Sequence, residues 1–245
     1  MSIVGSVGRR MKAPSPLSKS IMNDRWEEAL TIARNQPEKA KVWGWRQGFF
    51  EGLKDSKVLP LHECLVGNGP VEVVHALISA YPKGVQHKES SYQRLPLHCA
   101  CRKNANPKVV QLLLEADAEA SLVADSLGRL PLHYALSNGA NDEVISLLLK
   151  YHPNSARGCD NRGWTPLHVA CGMGASTHVV KMILESYPEA CILKTRKGSR
   201  PIKCVNPKAV NKEEVKALLQ TKKRDLDSTY RPAKPVKQGS ERTLV

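Results

Sequence analysis

The chain has 245 residues, enough for one domain or two, and 41% hydrophobic content supports a packed core. Two phenylalanines and six tyrosines are few for a β-sandwich or barrel, and no run approaches the ~18 apolar residues of a membrane-spanning helix, so a soluble chain with no membrane span is expected. The formal charge of +14 is uneven: residues 1–50 carry +5, residues 51–190 carry −1 and residues 191–245 carry +10.

In chain order, residues 1–22 hold Arg9, Arg10, Lys12 and Lys19 with no acid before Asp24. This predicts a disordered basic leader, with an organelle transit peptide as the other reading. Met1–Val7 is too short and too glycine-rich for the apolar stretch of a secretory signal. Trp26 to Ala33, followed by Gln36-Pro37, aligns with Val71 to Pro82 and reads as the second helix of a degenerate first unit, an N-terminal cap over 23–58. From Pro37 to Pro60 the step is 23 residues, against 14 from Pro82 to Pro96. The excess holds Trp43, Trp45, Phe49 and Phe50. It reads either as an enlarged hairpin covering the open end of the core or as an aromatic ligand groove.

From Leu59 onward one pattern recurs. Leu59-Pro60-Leu61-His62 returns as Leu95-Pro96-Leu97-His98, Leu130-Pro131-Leu132-His133 and Thr165-Pro166-Leu167-His168, with a weaker copy at Arg200-Pro201-Ile202-Lys203. The prolines are 36, 35, 35 and 35 residues apart. Gly128, Gly163 and Gly198 stand three residues before a proline, and Asp125 and Asp160 three residues earlier. Such Asp-x-x-Gly runs signal tight turns in which glycine takes positive φ. Proline then fits the first helical turn, where its missing N–H costs nothing. A short Ala/Cys/Leu-rich helix follows, and a second helix starts behind Asn106, Asn141 or Ser176 as caps. Val73-Val74, Val109-Val110, Val144-Ile145 and Val179-Val180, each thirteen residues after a proline, begin a buried stripe at helical spacing.

Turn, helix, turn, helix with this opening resembles the ankyrin repeat, over roughly residues 23–221. The resemblance implies an all-α fold, an ankyrin-repeat α-solenoid of stacked helix-turn-helix units joined by β-hairpin-like loops. Repeats start near Leu59, Leu95, Leu130 and Thr165, and a C-terminal cap starts at Arg200. Gln93 stands where the other units have the turn glycine, which leaves the shape of that hairpin open. Residues 222–245 are expected to be a basic disordered tail, with Lys222-Lys223-Arg224 as a candidate import signal or nucleic-acid patch.

Four repeated histidines invite a metal site, but packed helices lie about 8–10 Å apart, too far for ligands that each approach one zinc to about 2 Å. The resemblance implies instead that His62, His98, His133 and His168 tie each turn to its helix. Seven cysteines without paired spacing suit a reducing compartment, and Cys64, Cys99, Cys101 and Cys171 fall where a small buried side chain is wanted. No catalytic motif is present, so neither cofactor nor enzyme activity is expected.

The resemblance also implies that a partner meets the hairpin tips and the exposed ends of the first helices. On this chain those positions are Tyr92 and Arg94; Arg102 and Lys103; Leu127 and Arg129; Ser137 and Asn138; Arg162 and Trp164; Met173; and Arg196, Lys197 and Ser199. Each tip from the second to the fifth repeat carries an arginine, whereas Glu72, Glu115, Glu143 and Glu185 lie on or beside the second helices. The expectation is a monomeric, non-catalytic adaptor of the cytoplasm or nucleus whose concave arginine stripe binds an acidic protein. The alternative is nucleic-acid or anionic-surface binding through the basic C-terminal tail.

Overall fold

In the computed structural model, residues 13–50 and 54–229 are described. They form six helix pairs stacked in chain order. The first helices are α1 (Pro16–Met22), α3 (Pro60–Val66), α5 (Pro96–Arg102), α7 (Pro131–Ser137), α9 (Pro166–Met173) and α11 (Pro201–Cys204). The second helices are α2 (Trp26–Asn35), α4 (Val71–Ala80), α6 (Pro107–Ala116), α8 (Asp142–Tyr151), α10 (Thr177–Ser186) and α12 (Lys212–Thr229). Each first helix packs on the next first helix and each second helix on the next second helix, so every inner unit is sealed by two neighbours.

The sequence dictates the local geometry. Every first helix opens on proline after an extended residue, as at Leu95 (ψ 162°). Four of the first helices are followed by a left-handed residue, which is Gly139 (φ 65°) or Gly174 (φ 73°) in two units and Asn68 (φ 53°) or Asn104 (φ 52°) in two others. Asparagine tolerates that region better than most side chains. The caps of α6, α8 and α10 hold as the sequence implies: Asn106 and Asn141 accept from backbone N–H groups at 2.9 Å, and Ser176 at 3.2 Å. Val110, Ile145, Val180 and their partners one turn on, Leu113, Leu148 and Ile183, are fully buried, each side chain contributing about 1.5–3 kcal/mol of transfer free energy.

Two boundaries differ from the sequence reading. Residues 16–22 are not leader but the first helix of unit one: Ser15 Oγ accepts from the Ser18 N–H at 3.2 Å, and Leu17 and Ile21 are buried. Its Ser-Pro opening has neither the histidine nor the regular spacing that marks the other units. At the other end α12 runs on through Lys222–Arg224 to Thr229, so the expected tail is helical over its first eight residues. Residues 1–12 and 230–245 lie outside the described part.

The aromatic insertion is a hairpin. Strands β1 (Gly44–Phe50) and β2 (Lys54–Val58) pair antiparallel, Trp45 opposite Lys57. The hairpin is the enlarged tip of the second unit, because Lys57 takes the ladder place that ordinary tips hold further on. The Ser90 N–H donates to the Lys57 carbonyl at 3.2 Å, Ser126 to Tyr92 at 2.8 Å, Asn161 to Leu127 at 2.9 Å and Arg196 to Arg162 at 3.0 Å. One backbone hydrogen bond per unit thus joins all the tips.

Candidate functional site

From the third unit on, each tip is built around one buried acceptor. Asp125 Oδ1 takes the N–H groups of Leu127 and Arg129, both at 2.9 Å, and Asp160 Oδ1 those of Arg162 and Trp164, both at 2.8 Å. In the third unit Glu89 Oε1 takes Tyr92 and Arg94 at 2.8 and 3.1 Å, while its other oxygen accepts from the Ser56 hydroxyl of β2. These bonds hold the Glu89 carboxyl below the usual carboxylate range against the opposing effect of burial. Gln93 adopts φ 58° here, so the hairpin keeps its shape without the turn glycine. In the last tip Thr195 Oγ1 accepts from the Ser199 N–H at 3.2 Å.

The repeated histidines lock the tips to the helices. Nδ1 of His98 accepts from the Leu95 N–H at 3.1 Å, and Nε2, which therefore carries the proton, donates to the Arg129 carbonyl of the next tip at 3.1 Å. His133 does the same with Leu130 and Trp164, and His168 with Thr165 and Ser199. Burial lowers the pKa of His62 and His98 to about 4, and also depresses His133 and His168.

The arginines divide into ties and exposed cations. Arg94, expected at the partner surface, is buried, its side chain 4% exposed. Its Nε lies 3.3 Å from Asp125 Oδ2 and 3.1 Å from the Tyr134 hydroxyl. This corrects its assignment to the partner stripe: it stands where a long cation reaches the buried acceptor of the next tip. Arg129, one unit on, makes the looser equivalent, with Nε 3.8 Å from Asp160 Oδ2 and the side chain 32% exposed. Arg162, Arg196 and Lys197 are exposed, as are Lys194 and Lys203 beside them. Of the four tip arginines, the exposed ones are therefore Arg162 and Arg196, those of the last two units. Glu72, Glu115, Glu143 and Glu185 are exposed on the second helices, but Lys108, Lys150 and Lys181 share that face, so the rear is mixed rather than acidic.

Five of the expected residues converge. Arg129, Ser137, Arg162, Trp164 and Met173, with Asp160, Val169 and Gly172, line a cavity of about 230 Å³ between α7, α9 and their tips. Trp164 lies against His168, ring centroids 6.1 Å apart, and a Cβ on Gly172 would come within 3.3 Å of the indole. Met173 is 55% exposed. Gly172 and Val169 escaped the sequence reading because they look like ordinary helix positions; only the lean of Trp164 over α9 makes them walls. The remaining expected residues lie outside that cavity: Tyr92, Arg102 and Ser199 are half-buried, and Lys103, Leu127 and Asn138 are exposed. Tyr92 is flanked by Lys54 Nζ and the Arg94 guanidinium, 4.8 and 4.4 Å from its ring centre.

Among the described residues, no group of three or more His, Cys, Asp or Glu side chains comes together as a metal site would require. No helix there is long and apolar enough to cross a membrane.

Comparison with known proteins agrees with this geometry. The ankyrin repeat pattern matches residues 92–124, and the pattern of ankyrin repeats in three copies matches residues 117–195. No curated protein matches the chain.

Proposed function

This chain is an ankyrin-repeat protein, and from that premise we propose that it is a non-catalytic adaptor taking an acidic protein partner on its concave face. Ankyrin repeats bind other proteins, and solenoid curvature creates the extended surface they use. The observation that carries the acidic partner is the placement of Arg162, Arg196 and Lys197. All three are exposed, Arg162 on the tip that lines the Trp164–Met173 cavity and Arg196 and Lys197 on the adjacent tip. Arginine and tryptophan are also the residue types that dominate binding energy when a partner desolvates them.

The test is the triple substitution Arg162→Glu, Arg196→Glu and Lys197→Glu. Proteins captured by the wild type should be lost, the circular dichroism melt should barely move, and the association rate of the wild type should fall steeply with salt. Retention of the same partners by the triple variant sinks the reading. Retention that disappears only when residues 230–245 are deleted points to the tail instead.

A further inference from the structure

Resting on that reading, we propose that the partner supplies an extended peptide with two elements. One apolar side chain seats in the cavity between Trp164 and Met173, and one Asp or Glu about three residues away meets Arg196 and Lys197.

The cavity has the size of a side chain. At about 230 Å³ it falls below the roughly 300–1,000 Å³ of small-molecule pockets. Its apolar walls are Trp164, Val169 and Met173, and the bare Cα of Gly172 keeps the floor open, since a Cβ there would press on the indole at 3.3 Å. Methionine is unbranched and adapts its shape to what it covers, which suits one wall of a socket that closes on a guest.

The spacing follows from the ladder. The Arg196 N–H donates to the Arg162 carbonyl at 3.0 Å, so the cationic tip of the sixth unit is the immediate neighbour of the tip that rims the cavity. Adjacent first helices sit about 8–10 Å apart, and an extended chain advances about 3.3 Å per residue. One unit of solenoid therefore matches about three residues of peptide.

Polarity follows from the tips. Tyr92, Leu127, Arg162 and Lys197 occupy one equivalent position in successive units. Next to the cavity, the fourth-unit tip offers Leu127 and an Arg129 whose Nε lies 3.8 Å from Asp160 Oδ2, whereas the sixth-unit tip offers exposed Arg196 and Lys197. The acid must therefore lie on the sixth-unit side of the apolar anchor.

The experiment uses the full chain against a displayed library of random twelve-residue peptides, followed by fluorescence polarisation with a selected peptide. Selected sequences should pair a Leu, Met or aromatic residue with Asp or Glu three positions away, give or take one. Replacing either by Ala or Gln should weaken binding at least tenfold. Met173→Ala, on an exposed side chain that the fold does not need, should lower the preference for the apolar residue and leave the acid preference intact; Gly172→Leu should do so more strongly. Arg196→Gln with Lys197→Gln should do the reverse.

Enrichment of acidic peptides without a positioned apolar residue overturns the two-element form while leaving the acidic-partner reading standing. Enrichment of peptides without acids overturns both. A library that yields no binder, while the intact partner still depends on Arg162, Arg196 and Lys197, overturns the extended-peptide form alone.

Discussion

The guanidinium of Arg94 donates through Nη2 to the hydroxyl of Tyr134 at 2.7 Å, across 40 positions of sequence, and that hydroxyl donates to Asp125 Oδ2 at 2.7 Å. Three residues from two units thus close a buried polar triangle in which Asp125 also fixes its own tip. Burial and the bond to Asp125 push the Tyr134 hydroxyl up to about 12, so it stays protonated and keeps donating.

Arg94→Glu should therefore unfold or strongly destabilise the stack. Removing one partner from a buried charge pair costs about 3–5 kcal/mol, and the substitution adds a second carboxylate beside Asp125. Tyr134→Phe should cost about 1–3 kcal/mol, the penalty for stranding buried polar partners. Arg162→Glu, on an exposed side chain, should stay within about 0.5 kcal/mol. Urea midpoints of the three variants separate the tie from the surface. Equal midpoints for Arg94→Glu and Arg162→Glu would return Arg94 to the partner stripe.

The unit length, the helix pairs, the caps and the buried stripes were legible in the sequence because they are local and repeat. The role of Arg94 was not, because Arg94, Arg129, Arg162 and Arg196 look alike as tip residues. Only the tertiary placement of Asp125 beneath one and Asp160 beneath another decides which are ties. Helix α1 was missed for the opposite reason. Its Pro16 lies 44 residues before Pro60, so the hairpin insertion hides the period.

Stability should depend on pH through two opposed groups. His62 and His98 fall from 6.5 to about 4 in the folded chain, so between those values the unfolded chain binds more protons. Their contribution, up to roughly 3 kcal/mol each, is complete above pH 6.5 and is lost as pH falls toward 4. Glu63, buried on α3 with Arg46 Nε 3.3 Å away, is raised by burial from 4.5 to about 7. It keeps its proton when folded, so its contribution is lost as pH rises from 4.5 through 7. Denaturant midpoints should climb from pH 4.5 to 6.5 and then sag slightly. Glu63→Gln should remove the sag and add about 1–3 kcal/mol at pH 8. A midpoint that still falls above pH 6.5 in that variant excludes Glu63 as the cause.

Gln93→Gly should stabilise the third hairpin. A non-glycine side chain at φ 58° carries about 1–2 kcal/mol of steric cost, partly offset by the added freedom of glycine when unfolded, for a net gain of about 0.5–1 kcal/mol. Gly163→Ala should act in the opposite sense. Its φ is +76°, and a Cβ would come within 2.8 Å of the Arg196 backbone nitrogen that carries the tip ladder. Thermal melts of the two variants should move in opposite directions; a lower melting temperature for Gln93→Gly would show that the glutamine side chain contributes more than its backbone costs.

The cysteines give an internal record of the order in which the stack opens. Burial pushes the thiols of Cys64, Cys99 and Cys171 up to about 12 and Cys101 higher still, while Cys159 is exposed. Since the thiolate is the nucleophile, iodoacetamide at pH 8 should alkylate Cys159 first in the native protein. End units of a solenoid have only one neighbour, and α11 has just four residues. Cys204, half-buried on that helix, and Cys191, on the turn that packs against α11 and α12, should therefore label next, below the global urea midpoint. Cys99 and Cys101, fully buried on α5 with units on both sides, should label last and only with the main transition. Mass spectrometry of alkylated peptides across a urea series reads that order directly. Simultaneous labelling of Cys99 and Cys204 would mean that all six units open as one cooperative block, and that the short α11 gives the sixth unit no independent opening.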